Sequence, residues 1–210
     1  MIKLTQIALI GGIFAGITAC SPVTLPVTNH YQLDSFDSTA RQTTTWHRSL
    51  LITPPDALAG YQSDQMLYQS KPYELSAFAH NAWMSAPASM LYPLMFQSLE
   101  HSHAFFAVTT SPEADTTDYR LDTQLIKLKQ NFVQKPSVLE WAVHAVLTHV
   151  NDRRVIASQT FHERITCAAD TPYGGVIAAN QAARVFTHTL TKFVIVNVQA
   201  DQKTNHKRYE

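Results

Sequence analysis

Three consecutive runs between Asp118 and Thr166 constrain this chain more than anything else in it. "SVLEWAVHAVLTHV" places Leu139, Trp141, Val143, Ala145 and Leu147 at every second position, and "RVIASQTFHERIT" follows after Asn151-Asp152-Arg153. A period of two in branched and aromatic residues is that of a half-buried strand, and a short polar turn between two such runs makes a hairpin. The preceding run, "DYRLDTQLIKLKQNF", alternates at Tyr119, Leu121, Thr123 and Leu125, then shifts its apolar phase to Ile126 and Leu128. A one-residue slip turns later side chains to the other face, so it marks a bulge or a change of buried face. Strands this long and this close in sequence demand a sheet, and something apolar must cover it.

Two stretches of helical period supply the cover. Met90, Leu91, Leu94, Ser98 and Leu99 fall on one helical face, with Pro87 near the first turn and Pro93 predicted to kink the helix or delay its start. Ala179, Ala183, Phe186, Leu190 and Phe193 predict an amphipathic helix from Val176 to about Val198. Gly174 and Gly175 precede it and read as turn geometry rather than as an anion site. "YQLDSF" from Tyr31, "WHRSLLI" from Trp46, "DQMLYQS", "PYELSAF" and "AFFAVTT" from Ala104 read as further strands, with Lys71-Pro72 interrupting two of them. "TPPDALAG", from Thr53 to Gly60, reads as a loop. The order strands, helix, strands, helix predicts a single α+β domain over residues 30–198, mainly an antiparallel sheet with two helices packed on one face. At 210 residues and 45% hydrophobic, such a core needs neither a metal nor a disulfide.

The first residues carry a different signal. Lys3 precedes eleven uncharged apolar residues, Ile7 to Ile17, which is short of the roughly 20 that a comfortable membrane-spanning helix requires. Ile17-Thr18-Ala19-Cys20 resembles the bacterial lipobox. That resemblance implies a signal peptide over residues 1–19, cleavage before Cys20, and a lipidated cysteine at the mature N-terminus. Acyl chains contribute about 0.8 kcal/mol per buried methylene, so two or more hold a protein on a bilayer stably. Ser21 stands where Asp would favour retention at the inner membrane, so lipoprotein sorting implies the outer membrane, with the body facing the periplasm. Pro22 and Pro26 suit residues 20–29 to an extended tether. Residues 199–210, "QADQKTNHKRYE", are polar and are expected to form a disordered tail. With Cys20 acylated, Cys167 has no intramolecular partner and reads as a small buried residue at a strand end.

Catalytic chemistry is absent from the pattern. Lysine plus arginine equals aspartate plus glutamate at 16 each, which gives no electrostatic signal for nucleic acid. Among ten histidines, His101 and His103 would share a face if extended, whereas the five-residue offset of His144 and His149 points them apart. HExxH, CxxC, GxSxG and phosphate-loop motifs do not occur in the mature chain, so no catalytic, cofactor or metal residues are expected. Glu113, Asp115, Asp118 and Asp122 read as a solvated loop and its strand, and Trp46, Trp83 and Trp141 as core.

The lipobox, the "YQL" run, "DQMLYQS" leading into "YELSAFAHNAWMSAPASMLYPLMFQSL", the pair near "YRLDTQL" and "VLEWAVHAVLTH", and the closing alanine-rich helix together resemble the ABC-type transport auxiliary lipoproteins. These include the lipoprotein encoded with the paraquat-inducible MCE-type lipid transport system. The resemblance spans about residues 17–197 and is most specific from Tyr73 to Leu99, through Trp83 and Pro87. In many members the strand before that run ends in Arg, where this chain has Met66-Leu67-Tyr68-Gln69. The resemblance implies an outer-membrane-tethered periplasmic accessory that supports trans-envelope transport of lipids or other hydrophobic compounds. It would dock on MCE-type or ABC transporter subunits without hydrolysing anything, with a homo-oligomer left open. Cys20 is the one functional residue it carries over. The competing reading is a module that itself holds a lipophile between sheet and helices, independent of a transporter.

Overall fold

In the computed structural model, residues 27–111 and 117–206 are described. In chain order the elements are β1 (Asn29–Tyr31), β2 (Trp46–Ile52), β3 (Asp56–Ala57), β4 (Gln65–Gln69), β5 (Ser76–Trp83), α1 (Pro87–His101), β6 (Phe105–Thr109), β7 (Tyr119–Asn131), β8 (Val138–His149), β9 (Arg154–Thr166) and α2 (Pro172–His206). Cys20, the expected signal peptide and most of the expected tether lie outside the described residues.

The three long strands form an antiparallel ribbon, β7 on β8 and β8 on β9, as their alternation predicts. The β7–β8 register shifts between Leu125 and Lys127, where the apolar phase slips. Leu121 and Leu125 before the slip and Leu128 and Gln130 after it are all buried. The bulge therefore keeps one face of β7 inward, and it excludes the alternative of a changed face.

The other edge of β7 is shared by three short strands, all parallel to it: β2 opposite Tyr119, β3 opposite Gln124 and β4 opposite Gln130. Beyond β2 lies β6, also parallel, and beyond β4 lie antiparallel β5 and then β1, which is parallel to β5. The sheet is thus mixed, not mainly antiparallel as expected. Alternation encodes which face of a strand is buried but not which way its neighbour runs. The segment Trp46 to Gln69 climbs β7 in a single direction, and Asp56–Ala57 makes a two-residue strand inside what the sequence reads as loop.

Both helices cover one face. Trp141, Phe161, Phe186 and Phe193 form a chain of ring contacts with centroids 5.6–5.9 Å apart between ribbon and α2. Leu50, Leu121, Leu125, Leu147, Met95, Leu99 and Leu190 have no exposed surface, and Ala179, Ala182 and Ala183 let α2 lie close on the sheet. The helices meet where Ser98 Oγ and Thr191 Oγ1 share a 2.9 Å hydrogen bond. Pro87 occupies the start of α1, and Pro93 sits inside the helix rather than delaying it. Its missing N–H is offset by the burial of Met90, Leu91, Leu94 and Met95 around it.

Two further expectations are corrected. The strand expected from Tyr31 ends at that residue, because Asp34 N–H donates to Asn180 Oδ1 and Asp37 N–H to Thr187 Oγ1, each at 2.9 Å, drawing the chain off the sheet onto α2. The disordered tail expected from Gln199 instead continues α2 to His206; residues 207–210 lie outside the described residues. Asp201 is the cause. It is buried, and it accepts from Tyr119 Oη at 3.1 Å and from Arg154 Nη2 at 2.6 Å, which fastens the last turns of α2 to β7 and β9. At the other end α2 begins at Pro172, so Gly174 and Gly175 lie within its first turn, where Thr171 Oγ1 and the Thr171 carbonyl accept their N–H groups. Thr171 thus caps the helix, and the turn expected at Gly174-Gly175 is helix instead.

Candidate docking surface

The chain enters the sheet through β1. Asn29 pairs with Asn81 and Tyr31 with Trp83 in parallel, so the chain arrives from the end where β5 begins. The β4–β5 turn, residues 70–75, and the β7–β8 loop, residues 132–137, lie at that same end, tied by the Phe132 N–H donating to the Gln69 carbonyl at 2.8 Å. Tyr68 is opposite Gln130 on β7 and Ser76 on β5, and Phe132 and Phe78 stand two positions on from those partners, so all three rings share one side of the sheet. Tyr68 stacks on Phe78 at 4.5 Å, and Phe132 meets both edge-on at 6.0 and 6.2 Å. Beyond this pile Tyr73 is fully exposed at φ 65°, and Leu75 and Val133 are about half exposed.

Beside β1 the same geometry opens a cleft of about 850 Å³ against the first turns of α2, lined by Tyr31, Asp34, Tyr173, Asn180 and Arg184 among others. Asn180 fixes its floor, accepting from Asp34 N–H and donating to the Gln32 carbonyl at 3.1 Å, while Tyr31 and Tyr173 meet at 6.0 Å.

The face of the ribbon away from the helices carries a charge cluster. Glu140 accepts from Asn131 Nδ2 and Arg164 Nη1, both at 3.0 Å, with Lys129 Nζ at 3.6 Å and Lys127 Nζ at 3.8 Å. Burial pushes the Glu140 carboxyl up, but the Asn131 hydrogen bond and the three cations outweigh it and hold the group below the usual carboxylate range. One carboxylate among three cations leaves the patch positive. The signal was present in the sequence: Lys127 and Lys129 share a face, and Glu140 alternates out of the apolar series of β8. Only their pairing across β7 and β8 brings them together.

The histidines fall into separate roles. His101 ends α1 with Nδ1 at 2.8 Å from the Gln97 carbonyl, and His103 follows in a turn at φ 54°, so the extended pair that would chelate does not form. His144 contacts Thr160 Oγ1 at 2.9 Å and Ser158 Oγ at 3.1 Å. This is a serine–histidine contact with a hydroxyl where a triad has a carboxylate, and it sits in a regular antiparallel ladder whose amides are engaged. His149 and Arg154 bind Asp152, and chiefly the His149 hydrogen bond holds that carboxyl down at about 2. Among the described residues no three His, Cys, Asp or Glu are placed to hold a metal. Asp118 binds Arg48 and the Ser49 N–H and hydroxyl, and Asp122 binds Arg120 and Thr53; Glu113 and Asp115 lie outside the described residues. Cys167 is buried, and burial pushes its thiol up, away from reactive thiolate. Trp83 and Trp141 are core, and Trp46 packs edge-on against Phe105.

A family model described as the ABC-type transport auxiliary lipoprotein component matches residues 31–190. The chain belongs to this family. The matched region runs from the last residue of β1 into α2, so it takes in β2 to β9, α1 and the first half of α2. Among solved structures, protein XCC0632 from Xanthomonas campestris, described as a DUF330 protein, superposes with a TM-score of 0.73 at 21% identity, over 84% of this chain and 99% of that one. A structure described only as an uncharacterized protein superposes at 0.64 with 12% identity, over 80% of this chain and 99% of its own. At such identities the likeness shows a shared fold. A search of curated proteins gave no significant match. This auxiliary lipoprotein has, among its described residues, no helix long and apolar enough to cross a membrane.

Proposed function

We propose that this protein is an outer-membrane-anchored periplasmic accessory of an ABC- or MCE-type transport system, a non-catalytic adaptor in trans-envelope movement of lipids or other hydrophobic compounds. Cleavage after residue 19 and acylation of Cys20 supply the anchor. The observation that carries the reading is the family match across nearly the whole folded domain. The positive patch around Glu140 offers a docking face for an acidic partner surface. Tethering raises the local concentration of that face, so a modest interface suffices. The competing lipophile-holding role finds little support in the layer between sheet and helices, where Trp141, Phe186 and Leu190 are at most 1% exposed.

Crosslinking in intact envelopes followed by affinity capture tests the proposal. Recovery of a permease, ATPase or MCE-domain subunit is expected, weakened by Lys129→Glu with Arg164→Glu. Capture that yields no transporter subunit contradicts it.

A further inference from the structure

We propose that the end of the sheet built by the β4–β5 turn and the β7–β8 loop seats on the phospholipid surface that holds Cys20. The inference rests on the reading of Cys20 as acylated and deepens it from an attachment point to an orientation.

The length of the tether and the place where it ends carry the argument. Nine peptide links separate Cys20 from Asn29, and fully stretched they reach about 30 Å. Asn29 is fixed opposite Asn81, and β5 begins five residues nearer the turn, about 17 Å at the rise of a strand. The β4–β5 turn thus stands ahead of the point where the tether joins the sheet. With this end toward the membrane, the turn stands off from the lipid holding Cys20 by at most about 13 Å even with the tether fully stretched, and any slack in the tether lets the turn reach the headgroup region.

What the turn and loop present suits that layer. Tyr73 holds its ring wholly in solvent at φ 65°, a backbone conformation that costs a tyrosine and that glycine or asparagine would adopt more freely. Leu75 and Val133 add half-exposed apolar surface, and the interlocked rings of Tyr68, Phe78 and Phe132 give the tip a rigid base. Lys71, which faces Glu74 of the same turn at 3.7 Å, and Lys135 are exposed beside them. Tyrosine at headgroup depth with lysines reaching to phosphate is the composition of a membrane-interface contact. The turn at the other end of the β8–β9 hairpin, Asn151-Asp152-Arg153, is exposed and polar throughout.

The test places an environment-sensitive NBD label at Tyr73→Cys or Val133→Cys, with Arg153→Cys as the distal control; buried Cys167 stays unlabelled in the folded protein. One arm uses the lipoprotein extracted from envelopes and reconstituted in phosphatidylethanolamine–phosphatidylglycerol vesicles. The second uses residues 21–210 with an N-terminal hexahistidine on vesicles carrying nickel-chelating lipid, which removes any dependence on acylation. Labels at 73 and 133 are expected to brighten by at least about twofold, to shift blue, and to be quenched by shallow nitroxide lipids, with position 153 unchanged. Labels at 73 and 133 that behave like 153 in both arms, or changes that follow protein concentration without vesicles, overturn the inference. Failure of the extracted protein to float with vesicles, alongside a positive nickel arm, refutes acylation of Cys20 and leaves the membrane-facing tip standing.

Discussion

Replacing Gly175 with alanine should destabilise the domain even though alanine is the better helix former. A β-carbon at this position would stand 2.5 Å from Gln130 Oε1 and 3.0 Å from its Cδ. Gln130 cannot step aside: it is 2% exposed, and its Nε2 donates to Ser137 Oγ at 2.9 Å and to the Thr171 carbonyl at 3.2 Å. Overpacking a filled site costs about 1–3 kcal/mol and each displaced hydrogen bond about 1 kcal/mol, against a gain below about 1 kcal/mol from helix propensity. A net loss of about 2–3 kcal/mol follows, which for a domain of this size lowers Tm by roughly 5–10 °C. Thermal unfolding followed by circular dichroism, on mature protein without its lipid, measures it. In a Gln130→Ala background the obstacle is gone, so the same glycine change should become neutral or stabilising. A single Gly175→Ala variant that melts at or above the parent temperature refutes the reasoning, as does an equal loss in both backgrounds.

Asp201→Ala should cost about 2–4 kcal/mol, because it strips Tyr119 and Arg154 of a buried partner, and hydrogen exchange should show the last two turns of α2 opening first. Acid should weaken the fold in a defined window. In Asp37, Asp118 and Glu140 burial raises the carboxyl, but it is outweighed by hydrogen bonds from His188, Thr39 and Ala40 at Asp37, and by hydrogen bonds together with neighbouring cations at Asp118 and Glu140, which leaves each below its ordinary value. A depressed folded value contributes stability above the unfolded value, near 4, and loses it as pH falls through the folded value, so the contribution of these three groups to Tm should be constant above about pH 5 and be lost below about pH 4. Glu163 has the opposite sign, since burial raises it, and Glu163→Gln should stabilise the protein at pH 7 with the gain vanishing below about pH 4.5.

The ribbon was legible in the sequence because its cause is local. The alternation of Leu139, Trp141, Val143, Ala145 and Leu147 and the phase slip after Leu125 are written in adjacent residues, and the bulge between Leu125 and Lys127 realises both. What was hidden depends on partners far along the chain. β2, β3 and β4 run parallel to β7 because of where the sheet receives them, and no residue within them encodes that direction. Leu33 and Phe36 look like strand residues but leave the sheet because Asn180 and Thr187 capture the adjoining backbone from across the molecule. Gln199 to His206 looks like a polar tail until Asp201 meets Tyr119 and Arg154. The aromatic end of the sheet was hidden for the same reason: Tyr68, Phe78 and Phe132 are single aromatics in three separate segments that only the pairing of β4 with β5 and β7 stacks together.

Acylation of Cys20 is what would hold this protein at the outer membrane. Metabolic labelling with an alkyne analogue of palmitate, followed by click detection of the purified protein, tests it directly. The mature polypeptide should carry the label and sediment with outer membranes, and Cys20→Ser should abolish both. An unlabelled mature protein that fractionates free in the periplasm would contradict the account.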